Sequence, residues 1–196
     1  MKNSSLALLA LLGAPTLWLG FYIEGRYPHL SNSWFTGLWG LIYMCAWMCS
    51  IVCMQRLKVT GTTRFGKGIL WVILGTLTLA NWSNVIQLVS PEYKPAYFFY
   101  LDACWPISNF LMLPIGITAF MARGLSGWRR YVPLVPALWY PVLVISMLLL
   151  GRTTATGLIL GIHSALGWTL LALALYLESR KTESKATTVS IKYELA

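Results

Sequence analysis

AYFFYLDACWPISNFLMLPIGITAFM, residues 96–121, carries a single charge, Asp102, in a run long enough to cross a bilayer. A helix rises about 1.5 Å per residue, so roughly 20 apolar residues traverse a ~30 Å hydrocarbon layer. Five further runs of the same kind flank this one, at about 5–23, 34–54, 67–90, 131–150 and 155–177. The chain has 196 residues, of which 57% are hydrophobic and 11% charged, so almost nothing is left for a soluble domain. The expected fold is all-α: a polytopic membrane protein of six transmembrane helices in one bundle over residues 1–181. Residues 182–196, polar and mixed in charge, are expected to form a disordered cytoplasmic tail.

The formal net charge of +9 invites a nucleic-acid partner, but the positions of the charges argue against one. Lys and Arg gather in alternate connections: Arg56, Lys58, Arg64 and Lys67, then Arg123, Arg129 and Arg130, then Arg180, Lys181, Lys185 and Lys192. With Lys2 these form one side, and Arg26, Lys94 and Arg152 form the other. Positive residues mark cytoplasmic loops, which places both termini in the cytoplasm of a protein of the cell (inner or plasma) membrane. An even number of spans demands the same. Membrane lipids, anionic ones included, are the expected partners of these basic loops. Lys2 before the apolar run Leu6–Leu12 resembles the start of a secretory signal, but no small-residue cleavage site follows, so a retained first span is expected. Tyr22, Tyr27, Trp34, Tyr93, Tyr97 and Tyr100 mark the outer interface, and Trp128 and Tyr131 the inner one.

Asp102 is the only carboxylate well inside an apolar run. A charge at the centre of a membrane helix costs roughly 2.5–3.5 kcal/mol on insertion scales, which makes such a residue a functional candidate. Pro106 follows four residues later and removes the hydrogen bond to the Asp102 carbonyl, so a kink with two acceptors in one place is expected. Freed carbonyls of this kind often build the sites of transporters. Counted at about 1.5 Å per residue, Asp102 and Asn84 lie roughly 9 Å below the outer ends of their spans. On the same rise, Asn81, Trp105 and His163 lie at roughly 13 Å and Asn109 deeper.

These residues compose an expected ligand pocket in the outer half of the bundle. Asp102, Trp105, Asn81, Asn84, His163 and Asn109 line it, with Trp82 and Trp168 as further walls. Asp102 is cast as counter-charge for a cation or as proton acceptor coupled to His163, with tryptophans making cation–π contacts. The ligand class is a small or lipid-like molecule, bound or transported, and no cofactor or metal is expected.

Other readings of the same residues are weighed beside it. Ser108 in span four and His163 in span six superficially resemble the layout of a rhomboid protease. The sequence departs from that family, since Ser108 sits in Pro106-Ile107-Ser108-Asn109 without GxSG, and span two lacks a His/Asn pair. An intramembrane hydrolase using Ser108 and His163 is therefore the alternative, beside an assembly subunit without a ligand. Cys45, Cys49 and Cys53 share a helix face with methionines nearby, a pattern read as packing in preference to a copper(I) site. Gly157, Gly161 and Ala165 form a small-residue face suited to a homodimer, with His163 about 200° away from Gly161 and turned inward.

Overall fold

The computed structural model describes the backbone of residues 1–194 and the side chains of residues 1–184, and every regular element among them is helical. The first pass is broken in two, α1 (Asn3–Gly13) and α2 (Thr16–Arg26). Pro15 stands at the break, where the Thr16 hydroxyl donates to the Gly13 carbonyl at 2.6 Å. α3 (Trp34–Arg56) starts at Ser33, whose hydroxyl accepts from the Phe35 N–H at 3.1 Å. α4 (Arg64–Val89) starts likewise at Thr63, which accepts from Gly66 at 3.0 Å. Both caps satisfy donors that a helix start leaves open. α5 (Phe98–Ala122) contains Pro106 and Pro114 and ends where Arg123 turns left-handed.

The expected fifth span is in fact two helices, α6 (Leu134–Ala137) and α7 (Trp139–Leu150), preceded by a 3-10 turn over Gly127–Tyr131. The chain bends by 49° at Leu138. Pro133, Pro136 and Pro141 crowd this point, and Pro141 removes the donor that would have continued the ladder to Ala137. The bend of 49° between two helical segments thus falls at Leu138, while α5 continues as one helix through Pro106. α8 (Thr154–Glu194) is the longest element. Of the tail expected over 182–196, the backbone of α8 takes in residues 182–194; the side chains of residues 185–194, and residues 195–196 entirely, lie outside the described residues.

Among the described residues, α3, α4, α5, α8 and the α1–α2 pair taken together are long and apolar enough to cross a membrane, six crossings if the bent α6–α7 pair counts as one. The outside of the bundle is correspondingly apolar: Leu148 is 80% exposed and Trp71 64%. Ser108, Asn109, Ser164 and Ser179 are buried instead. That inversion suits lipid as the solvent. The tyrosines and tryptophans expected at the two interfaces are all exposed.

The N-terminus and the stretch of α8 around Glu178–Glu183 lie at one end of the bundle. Ser4 donates to Glu183 at 3.0 Å, and Arg56 donates to the Met1 carbonyl at 2.9 Å. Arg129 pairs with Glu178 at 3.2 Å across the same end. At the other end, Gln87 donates to the Asn32 carbonyl at 2.6 Å and joins α4 to the turn before α3.

Helices α3 and α4 meet through Gly37 and Gly40. A methyl group at Gly37 would run into the Leu88 backbone nitrogen and stand 2.6 Å from the Asn84 carbonyl oxygen. One at Gly40 would collide with the Asn84 amide. Gly37→Ala is therefore expected to lower the unfolding midpoint in detergent, at a cost of about 1–3 kcal/mol for overpacking. Gly75→Ala, where nothing lies within 4 Å, should hold the midpoint or raise it, by up to about 1 kcal/mol. Identical midpoints for the two variants would rule out this close helix contact.

Candidate ligand-binding site

Two adjoining cavities open in the half of the bundle away from the N-terminus. The larger, about 480 Å³, lies between α2, α5, α7 and α8. Its walls are Leu17, Trp18, Phe21 and Tyr22 of α2, Trp105 of α5, Trp139 of α7, and the stretch of α8 from Thr154 to Ser164. It exists because α2 packs on α3 and α8 but stands off α5 and α7. Gly157 and Gly161 add no bulk from the α8 side. A methyl group on Gly157 would meet nothing within 4 Å, and one on Gly161 only the Phe21 ring, at 3.5 Å.

The smaller cavity, about 220 Å³, lies between α2, α3, α4 and α5. Leu17, Phe21 and Trp105 line both cavities, so these three side chains stand at the narrow boundary, or waist, where the two spaces adjoin. The smaller space has the polar residues: Thr36, Tyr43, Ser83, Asn84 and Asp102. Aromatic rings enclose it, with Trp39 set edge-on to Phe21 at 5.0 Å and Trp105 set edge-on to Trp139 at 5.5 Å.

Asp102, Asn84 and Trp105 are thus brought together as expected, in the smaller cavity. Asn81 is one step removed: it accepts from the Asn84 amide at 3.2 Å and donates to Cys45 at 3.4 Å. The remaining expected members lie elsewhere. Asn109 is buried and donates to the Trp105 carbonyl of its own helix at 3.2 Å. Trp82 is 56% exposed on the outer surface. Trp168 is a core residue stacked near Trp47 at 4.2 Å. None of the three lines either cavity.

His163 lies beside the Val135 backbone with its Nε2 unpartnered among the described residues, and it lines neither cavity. The cation whose field acts on Asp102 is Lys94, so the expected Asp102–His163 coupling is replaced by a lysine from the preceding loop. Asp102 is also shallower than expected. α5 begins at Phe98, which places the carboxylate four residues in, about 6 Å along the axis. It is exposed at the mouth of the cavity.

The hydrolase alternative loses its nucleophile–base pair. Ser108 is fully buried, 2.8 Å from the Thr76 hydroxyl and 2.7 Å from the Cys104 carbonyl, while His163 faces Val135. The cysteine stripe is divided as well: Cys45 meets Asn81, and Cys53 lies 3.7 Å from Ser179. Gly157 and Gly161, of the small-residue face expected to suit a homodimer, also line the larger cavity, Gly157 on its exposed side.

Three site features escaped the sequence reading. Glu24, beyond the expected end of span one, accepts from the Thr36 hydroxyl at 2.5 Å and from the Trp39 indole at 2.9 Å. Trp139, only 5% exposed, lines the larger cavity with its indole N–H unpartnered. Tyr43 lines the smaller cavity, with its buried hydroxyl turned toward Ser164. Helical extension past residue 23 was the missing signal for Glu24; the other two depend on which helices become neighbours.

No protein-family model, curated protein or solved structure matches the chain.

Because Glu24 holds two groups that line the smaller cavity, Glu24→Ala should cost about 1.5–3 kcal/mol of stability, the scale of hydrogen bonds to a charged group. Glu24→Gln, which keeps a carbonyl acceptor, should lose about half as much. Thermal unfolding in detergent reads both, and an unchanged midpoint for Glu24→Ala would show the carboxylate is not holding Trp39.

Proposed function

We propose that this is an integral membrane protein of six crossings, with cytoplasmic termini in the cell membrane, that binds an amphiphilic small molecule in its outer half. The apolar part of the ligand lies in the larger cavity and its polar end in the smaller one. One observation carries the reading: an apolar space of about 480 Å³ joins a polar one across a shared waist of Leu17, Phe21 and Trp105. Small-molecule sites are typically apolar clefts of roughly 300–1,000 Å³ with a few convergent polar groups. The orientation rests on charge: the basic connections lie at the end that holds the N-terminus and the stretch of α8 around Glu178–Glu183, where Arg56 and Arg129 are tied down.

Filling the larger cavity tests the reading. Gly157 faces open space, so Gly157→Phe is expected to fold with an unchanged or raised unfolding midpoint. After mild detergent extraction, native mass spectrometry should show a retained amphiphile on the parent protein and none on Gly157→Phe. Equal retention on both would refute a ligand in this cavity. Dissociation of a dimer by the same variant, with retention unchanged, would favour the homodimer surface at Gly157, Gly161 and Ala165.

A further inference from the structure

Among the residues lining the smaller cavity, Asp102 is the sole ionisable carboxylate, and no lysine or arginine joins it. Its carboxylate makes no hydrogen bond and no contact ion pair with any described side chain. A second carboxylate, Glu24, stands behind the wall, bonded to Thr36 and Trp39. The rings of Trp39, Tyr43 and Trp105 enclose the space. An aromatic enclosure with net negative charge is the chemistry that recognises ammonium groups, through charge and through the negative faces of the rings.

Lys94 supplies the clue to how the site stands when empty. Its ammonium lies 5.0 Å above the centre of the Phe98 ring. Phe98 and Asp102 are four residues apart in α5 and therefore share a face, one turn from each other. Lys94 thus hangs just outside the mouth, near enough to act on Asp102 but short of an ion pair with it. Its own cation–π contact shows that this rim already accepts an ammonium.

We infer that the ligand is a cationic amphiphile, an alkyl chain carrying an amine or quaternary ammonium head, and that its head takes Asp102 in competition with Lys94. This rests on the proposed function above and specifies the head group. No covalent step is involved. The head enters the ring of Trp39, Tyr43 and Trp105, its charge meets Asp102, and the chain passes the waist toward Gly157. Lys94 is the tethered competitor, so the two charged residues act on affinity in opposite directions.

The test uses the full chain in neutral maltoside micelles, titrated with hexadecylamine, hexadecanol and hexadecanoate and followed by native mass spectrometry. The amine is expected to bind at least about tenfold more tightly than the alcohol, with the acid weakest. Asp102→Asn should bring the amine to the level of the alcohol while leaving alcohol affinity unchanged, which also shows that the variant is folded. Lys94→Gln should tighten amine binding severalfold and leave the alcohol alone. Equal binding of the three probes, or a weakened amine in Lys94→Gln, overturns the cationic head and leaves the amphiphile site standing. Failure of all three to bind overturns both.

Discussion

The seating of Trp39 determines the rest of the site. Its ring lies directly on Gly20 of α2, where an added methyl would stand 2.5 Å from the ring carbon Cγ. Its indole nitrogen is held by Glu24, one turn along the same helix. Phe21, between these two anchors in sequence, meets the ring edge-on. Three contacts on one side chain thus lock α2 against α3 and set its distance from α5 and α7. A bulkier residue at position 20 would lift α2 away; a smaller one at 39 would let it collapse inward. Since Phe21 and Leu17 line both cavities, either change would remake the waist that joins them.

The bundle also solves a second problem, that of polar groups in a medium without water. Each unpaired donor or acceptor there costs several kcal/mol by transfer estimates. Most are paired locally: Ser108 and Asn109 turn back on carbonyls of α5, Thr118 on that of Pro114, and Ser179 on that of Leu175. These bonds consume polar side chains within single helices or helix pairs and leave them chemically idle. That is why Asn109, so well placed along the sequence, contributes nothing to the cavity. Four buried side-chain groups stay unpaired among the described residues: those of Tyr43 and Trp139, residues that line the cavities, that of Trp47 in the core beside Trp168, and Nε2 of His163.

Much of the architecture was legible in the sequence because one dimension suffices for it. Apolar runs and loop charges marked the helices; the starts and ends of the middle spans differ from expectation by only a few residues, whereas α8 runs past the expected end at 177 to Glu194 and the first and fifth spans are each broken in two. The candidate site needed three dimensions. Depth counting assumed that span four starts at residue 96; the turn over residues 91–97 delays it to Phe98, which brings Asp102 nearer the surface. Counting depth also says nothing about which helices adjoin. Asn81 and Asn84 face α3, where Cys45 and Gly40 receive them, and not α8 with His163. The tryptophans divided for the same reason: Trp105 and Trp139 point into a gap between helices, Trp82 points outward, and Trp168 fills the core.

Helix α8 shows most clearly how an angular argument is right and still incomplete. Gly161 and His163 do lie on opposite faces, as a rotation of about 200° requires. α8 packs against α1, α2, α3, α6 and α7. Its His163 face meets Val135, whereas the small-residue face opens on the cleft beside α2, with Gly161 buried and Gly157 exposed. Small residues on the cavity face therefore have a different physical meaning from small residues at a helix contact. In a contact they let two backbones approach, as Gly37 and Gly40 do with α4. At Gly157 no backbone approaches at all, and the missing side chain is the volume of the cavity itself.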